Sequence, residues 1–175
     1  ALAHKEPDRV PLDLGGGPVT GMHVDSVYLL RQAFGLDSAG TPVRVIEPFQ
    51  MLGEIKPDLI EVLGIDVVGL EGKKTVFGFA NEGWKPWTTF GGTPVLVPEG
   101  FNTEPGLNGD IFLYPEGDRS GPPSGRMPKG GFYFDLIVRQ PPLDDSHLNV
   151  EDNLEDFTLL PQDDLAHFQR EAERL

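Results

Sequence analysis

Residues 43–72 read VRVIEPFQMLGEIKPDLIEVLGIDVVGLEG, and the fold turns on how this stretch is parsed. VRVI at 43–46 is β-branched apart from Arg44, which is strand composition, and Glu47-Pro48 ends it because proline cannot donate to a ladder. Leu52, Ile55, Leu59 and Val62 then recur at the spacing of one helical stripe. Pro57 in a helix interior would remove a hydrogen bond and clash with the preceding turn. The spacing therefore predicts two helical pieces, the second opening on Pro57 and stopping at a left-handed Gly64. IDVVGL at 65–70 is a second apolar run, too short for a helix of its own. Two such runs joined by a helix are expected as parallel neighbours with a right-handed crossover. Glu47 and Glu71 would then trail the carboxyl ends of strands, where α/β proteins keep their chemistry.

Outside this unit the chain is acidic. Its 175 residues hold 28 Asp and Glu against 14 Lys and Arg, a formal charge of −14. That balance argues against nucleic acid and anionic membrane, both of which are bound by neutralising phosphates with cations. It suits a protein kept apart from its neighbours by like charge. There is no cysteine, so the chain offers no disulfide, no thiolate nucleophile and no Cys-containing zinc site. No apolar run approaches the roughly 20 residues of a membrane span, and no signal-peptide pattern opens the sequence. The expected compartment is the cytoplasm, and the length suits one domain with a core.

The opening ALAHKEPDRVPLDLGGG places Pro7 and Pro11 around a turn and VPLDL at 10–14 as a first strand. Gly15, Gly16 and Gly17 let the backbone turn sharply at its end. GGGPVTG lacks the G-x-G-x-x-G spacing of a dinucleotide loop, and Pro18 removes an amide that could face phosphate. Val24, Val27, Leu30 and Phe34 share a helical face that Gly35 ends, with Arg31 in the last turn. Asp25 at that helix start favours the dipole, and His23 reads as a solvated side chain.

Residues 91–131 hold ten Gly and seven Pro among 41 positions, yet apolar strands interrupt them: PVLV at 94–97, IFLY at 111–114 and FYFDLIV at 132–138. Asn108-Gly109 is a hairpin signal. The segment from about 76 to 140 therefore reads as an antiparallel β-insertion, with Trp84, Trp87 and Phe90 covering it. Asp135 and Arg139 are spaced for a strand-end ion pair, and the acidic run LDDSHLNVEDNLEDF at 143–157 reads as a solvated face or loop. Leu165, Phe168, Ala172 and Leu175 form one stripe of a closing helix. Pro161 and Asp163–Asp164 stand at its start, and Arg170 and Arg174 in its last turn. The pattern stops at Leu175 without a terminating residue, so a fragment is expected.

Taken in order, ALAHKEPDRVPLDLGG, LLRQAFGL at 29–36 and EPFQMLGEIKPDLIEVLGIDVVGL resemble the uroporphyrinogen decarboxylase superfamily. They resemble most its diverged uroporphyrinogen-decarboxylase-like branch, which includes corrinoid (cobamide) methyltransferases. GGTPVLVPEGFN, GDIFLYPEGD and GGFYFDLIVRQ are similar to that branch's β-rich segment. The resemblance covers nearly all of the chain and matches the N-terminal half of the family's fold. It implies residues 1–175 as the first strands and helices of a partial TIM (β/α)8 barrel, carrying the β-insertion.

The decarboxylases proper meet substrate propionates with arginines after the first strand, where this sequence has Gly16 and Thr20. A polycarboxylate porphyrinogen needs cationic, bidentate partners. The family's aspartate facing the pyrrole nitrogens matches Lys73 by spacing, with Glu71 two residues earlier. Both departures point to the methyltransferase branch, which moves a methyl group to a thiol activated by zinc. His4, His23, His147 and His167 lack ligand-like spacing, so no metal ligand is assigned in this chain. Zinc and corrinoid are expected only in the full-length protein. The alternatives are a uroporphyrinogen decarboxylase of tetrapyrrole biosynthesis and a non-catalytic assembly partner. Expected partners are a corrinoid protein or tetrapyrrole substrate, and either the missing barrel half or a second copy. The candidate substrate-contacting residues are Asp13, Gly15, Gly16, Gly17, Glu47 and Glu71. Each of the three carboxylates has a plain structural alternative: Asp13 as a turn cap, the two glutamates as partners of Arg44, Lys73 or Lys74.

Overall fold

A computed structural model describes residues 4–138, 144, 146, 148, 149 and 159–175. The described residues contain two four-stranded sheets, three α-helices and one 3-10 turn, joined by long irregular connections. Helix α1 (Val24–Ala33) is capped by His23, whose Nδ1 accepts the amide of Asp25. It buries Val24 and Val27 and closes at Phe34, with Gly35 at φ +67°. Strand β1 (Val43–Glu47) points Val43 and Val45 inward and Arg44 outward, as a period of two requires. It pairs antiparallel with β2 (Leu52–Gly53) and parallel with β4 (Pro94–Val97), and β4 pairs antiparallel with β3 (Lys85–Thr88). The first sheet therefore runs β2-β1-β4-β3. The second is a meander of β5 (Thr103–Pro105), β6 (Ile111–Leu113), β7 (Gly125–Met127) and β8 (Asp135–Leu136), each strand antiparallel to the next.

This arrangement corrects the expected fold class. Among the described residues the strand–helix alternation of a partial (β/α)8 barrel is not present, and the single parallel pairing joins β1 to β4 rather than to residues 65–70. Residues 65–70 form no strand. Their one link to the expected first strand is the Asp66 amide donating to the Leu12 carbonyl at 2.8 Å, with Leu12 N–H returned to the Asp66 carboxylate. Residues 10–14 form no strand either, and Val67, Val68 and Leu70 stay exposed.

The first of the two expected helical pieces is also absent. Glu47 reaches forward to accept the amides of Phe49 and Gln50, turning the chain back, and Met51 sits at φ +55°. Leu52 thus returns along β1 as a strand. The second piece is as the proline and glycine dictate: α2 (Pro57–Leu63) opens on Pro57 and ends at Gly64 with φ +66°.

Strands at 94–97 and 111–113 and the hairpin at Asn108-Gly109 match expectation, whereas 132–138 yields only β8. β3 and β4 belong to the first sheet, so the β-rich segment is shared between the two sheets. Aromatic rings join them. Phe134, fully buried, meets Phe77 at 6.1 Å and Phe101 at 5.8 Å edge-on, and Phe101 meets Trp87 at 5.3 Å. Trp87 lies on β3 of the first sheet and packs on Phe101, while Trp84 lies under the guanidinium of Arg44 and Phe90 is exposed, so the three do not form one cover over the insertion.

Helix α3 (Gln162–Arg174) follows Pro161 with Asp163 and Asp164 in its first turn. None of its residues is buried, so its apolar stripe does not face the core. It is attached by polar contacts: Lys73 to Asp164 at 3.3 Å, and His167 Nε2 donating to the Glu71 carbonyl at 2.8 Å. Arg139 and most of the run at 143–157 lie outside the described residues, and with them the expected Asp135–Arg139 pair.

Candidate functional site

A concavity opens where the start of α1 meets the turn after β1 and the loop before β8. It is a cleft of about 650 Å³, within the range of small-ligand sites. His23, Asp25 and Ser26 line it from α1, Phe49 and Gln50 from the turn, and Phe132 and Tyr133 from the loop. The polar groups are held by a short chain of hydrogen bonds. His23 Nδ1 accepts the Asp25 amide at 3.2 Å, so the proton sits on Nε2, which donates to the Phe132 carbonyl at 2.7 Å. The same ring meets Phe132 edge-on at 5.6 Å. Asp25 Oδ1 accepts the Thr89 hydroxyl at 3.0 Å, and that hydroxyl accepts the Thr93 amide. Asp25 Oδ2 lies 3.8 Å from His23 Nδ1, a nitrogen already used as an acceptor. Oδ2 therefore has no hydrogen-bond donor among the described residues. His23 is a half-buried cap rather than a solvated side chain.

The residues singled out from sequence fall in three places. Asp13 caps the glycine turn, its Oδ1 accepting from the Gly16 amide at 3.0 Å and the Thr20 hydroxyl at 2.9 Å. Gly15 sits at φ +98°, where a Cβ would come within 2.6 Å of Ile55 Cγ1. A Cβ on Gly16 would come equally close to Val67 and to Asp13 Oδ1, whereas Gly17 has open space around it. These four residues form a self-contained turn.

Glu47 stands behind the cleft: both its oxygens are spent on the amides of Phe49 and Gln50, which it thereby positions in the lining. Glu71 lies apart, beside Asn81, which donates to it at 3.4 Å and to the Ile46 carbonyl at 2.7 Å. Burial, and next the charge of Glu54, push the Glu71 carboxyl above its usual range, although the residue as a whole is exposed. Neither glutamate takes the cation expected of it. Arg44 faces Glu54 at 3.5 Å, and Lys73 faces α3.

Protein-family profiles, curated proteins and solved structures give no match to this chain.

The cleft residues Gln50, Phe132 and Tyr133 carry no spacing signal, since they come from two turns far apart in the chain. The one readable sign was a histidine and an aspartate two apart at a helix start. Among the described residues no group of three His, Cys, Asp or Glu is placed to hold a metal ion. Both nitrogens of His23 are engaged, and Nε2 of His167 is given to Glu71. No helix among the described residues is long and apolar enough to cross a membrane.

Proposed function

We propose that this chain is part of a cytoplasmic uroporphyrinogen-decarboxylase-like protein that transfers a methyl group from a corrinoid to a thiol, with a corrinoid protein as partner. The family resemblance rests on the order of its sequence blocks alone, from VPLDLGG through EPFQMLGEIKPDLIEVLGIDVVGL to GGFYFDLIVRQ. The two-sheet fold is not the partial barrel that the resemblance implies, and gives it no support. Between the family's two chemistries, one observation carries the choice: the cleft presents a carboxylate and no Lys or Arg in its lining. A substrate bearing many carboxylates would meet repulsion there and would leave its own charges unpaired. In this reading the chain supplies a ligand-contacting wall and no metal ligand.

The test uses the complete gene product with zinc, methylcobamide and a simple thiol. Methylated thiol is the expected product. Uroporphyrinogen consumed with release of carbon dioxide, and no thiol methylated, reverses the reading.

A further inference from the structure

The lining that disfavours a polycarboxylate substrate is selective in a further way, toward cations, that the methyl-transfer reading does not require. Three aromatic rings, Phe49, Phe132 and Tyr133, share it with the Asp25 carboxylate, and no cationic side chain lines it. Phe132 and Tyr133 are 60% and 58% exposed, far more than rings of a satisfied core. Asp25 is held in place by the Thr89 hydroxyl on Oδ1, and its other oxygen has no donor among the described residues. The adjacent histidine does not neutralise it, because Nδ1 is an acceptor and the Nε2 proton is committed to the Phe132 carbonyl.

We propose that this cleft is a binding site for an organic cation, an ammonium group borne on an apolar or aromatic body. The ammonium would stand at Asp25 Oδ2, while the faces of the rings attract the cation and cover the body it is attached to. Anions are disfavoured by the fixed carboxylate and by the protein's charge of −14, which also raises the local concentration of cations. A divalent metal is disfavoured because Asp25 is the single carboxylate in the lining, and such ions take several oxygen ligands. The inference does not depend on the reaction proposed above, since a site of this kind serves an enzyme and a binding protein alike.

Three probes of nearly equal size separate the outcomes: benzylammonium, benzyl alcohol and benzoate, each titrated calorimetrically into the complete protein near neutral pH. Benzylammonium should bind about tenfold more tightly than benzyl alcohol, and benzoate should not bind. Asp25→Asn keeps the acceptor for Thr89 and should bring benzylammonium down to the level of the alcohol without moving the alcohol. Tyr133→Leu keeps apolar area but removes a ring face, and should weaken benzylammonium about three- to fivefold. Equal affinity for all three probes, binding of none at millimolar concentration, or full benzylammonium affinity in Asp25→Asn each overturns the proposal. If Asp25→Asn melts early, the probe comparison on the unaltered protein still decides. Failure of methyl transfer leaves all of these readings unchanged.

Discussion

Arg31 is the residue whose environment departs most from its sequence context. In the last turn of α1 it would ordinarily complement the helix dipole from the surface, yet it is 2% exposed. Its guanidinium forks between two carboxylates: Nε to Asp37 at 2.5 Å, and Nη1 and Nη2 to Asp58 at 2.7 and 2.8 Å. These bonds raise the Arg31 pKa and hold Asp37 and Asp58 below the usual carboxylate range. The cluster ties the loop after α1 to the first turn of α2. Lysine has one point charge and cannot make this fork. Arg31→Met leaves two carboxylates without their hydrogen-bonded cation, only the more distant charge of Lys56 remaining, and should cost about 3 kcal/mol in urea unfolding, with Arg31→Lys intermediate. The pH dependence checks the cause. A carboxylate with a lowered folded pKa stabilises above its unfolded value near 3.8, and that stability is lost as pH falls through the folded value. The acid limb below about pH 4 should therefore be shallower in Arg31→Met. An unchanged limb would mean that the cluster is not the origin of acid sensitivity.

At the scale of elements, the stretch 43–72 shows what its residues do and do not encode. β1 and α2 were legible because β-branched alternation, Pro57 and Gly64 each act locally. The reversal at 48–51 was not, because it depends on Glu47 satisfying two amides with its side chain, which no apolar spacing records. IDVVGL looked like a strand by composition, but a strand exists only where a neighbour supplies a ladder, and here one amide at Asp66 is paired with the Leu12 carbonyl. The candidate site was legible in the same uneven way. Asp13 could be read as a turn cap, whereas Gln50 and Tyr133 meet only through tertiary folding. β2 shows how tight that folding is. A Cβ on Gly53 would come within 2.9 Å of Val27 Cγ2 and 3.1 Å of the Val24 backbone, so α1 rests directly on this glycine. Gly53→Ala should cost about 1–3 kcal/mol by overpacking, read as a lower midpoint in chemical denaturation. A neutral outcome would show that α1 can lift from β2 freely.

For the whole molecule, the question is whether two small sheets behave as one body. Each has four strands, and the strands of the second are only two or three residues long, too little for independent stability without shared burial. The shared element is the aromatic chain. Phe134 contributes its ring to Phe77 and Phe101 and its amide to the Phe49 carbonyl at 2.8 Å, so it holds the loop before β8 against the turn after β1. Those are two of the three walls of the cleft. Stability and site geometry are thus coupled through one side chain. Phe134→Ala should cost about 3–5 kcal/mol, the range for truncating a fully buried phenylalanine. Both tryptophans lie on the side of the first sheet, so their fluorescence reports that sheet, while far-UV circular dichroism reports the chain as a whole. In the unaltered protein the two signals should trace one transition with one midpoint. Separated midpoints there would show that the sheets unfold independently and that the aromatic chain does not couple them. In Phe134→Ala the shared midpoint should fall, and benzylammonium affinity should fall with it, because Phe132 and Tyr133 lose the anchor two residues and one residue away. Leu52 also lines the cleft, but from the opposite element, so Leu52→Ala should lower stability without that parallel loss of the loop.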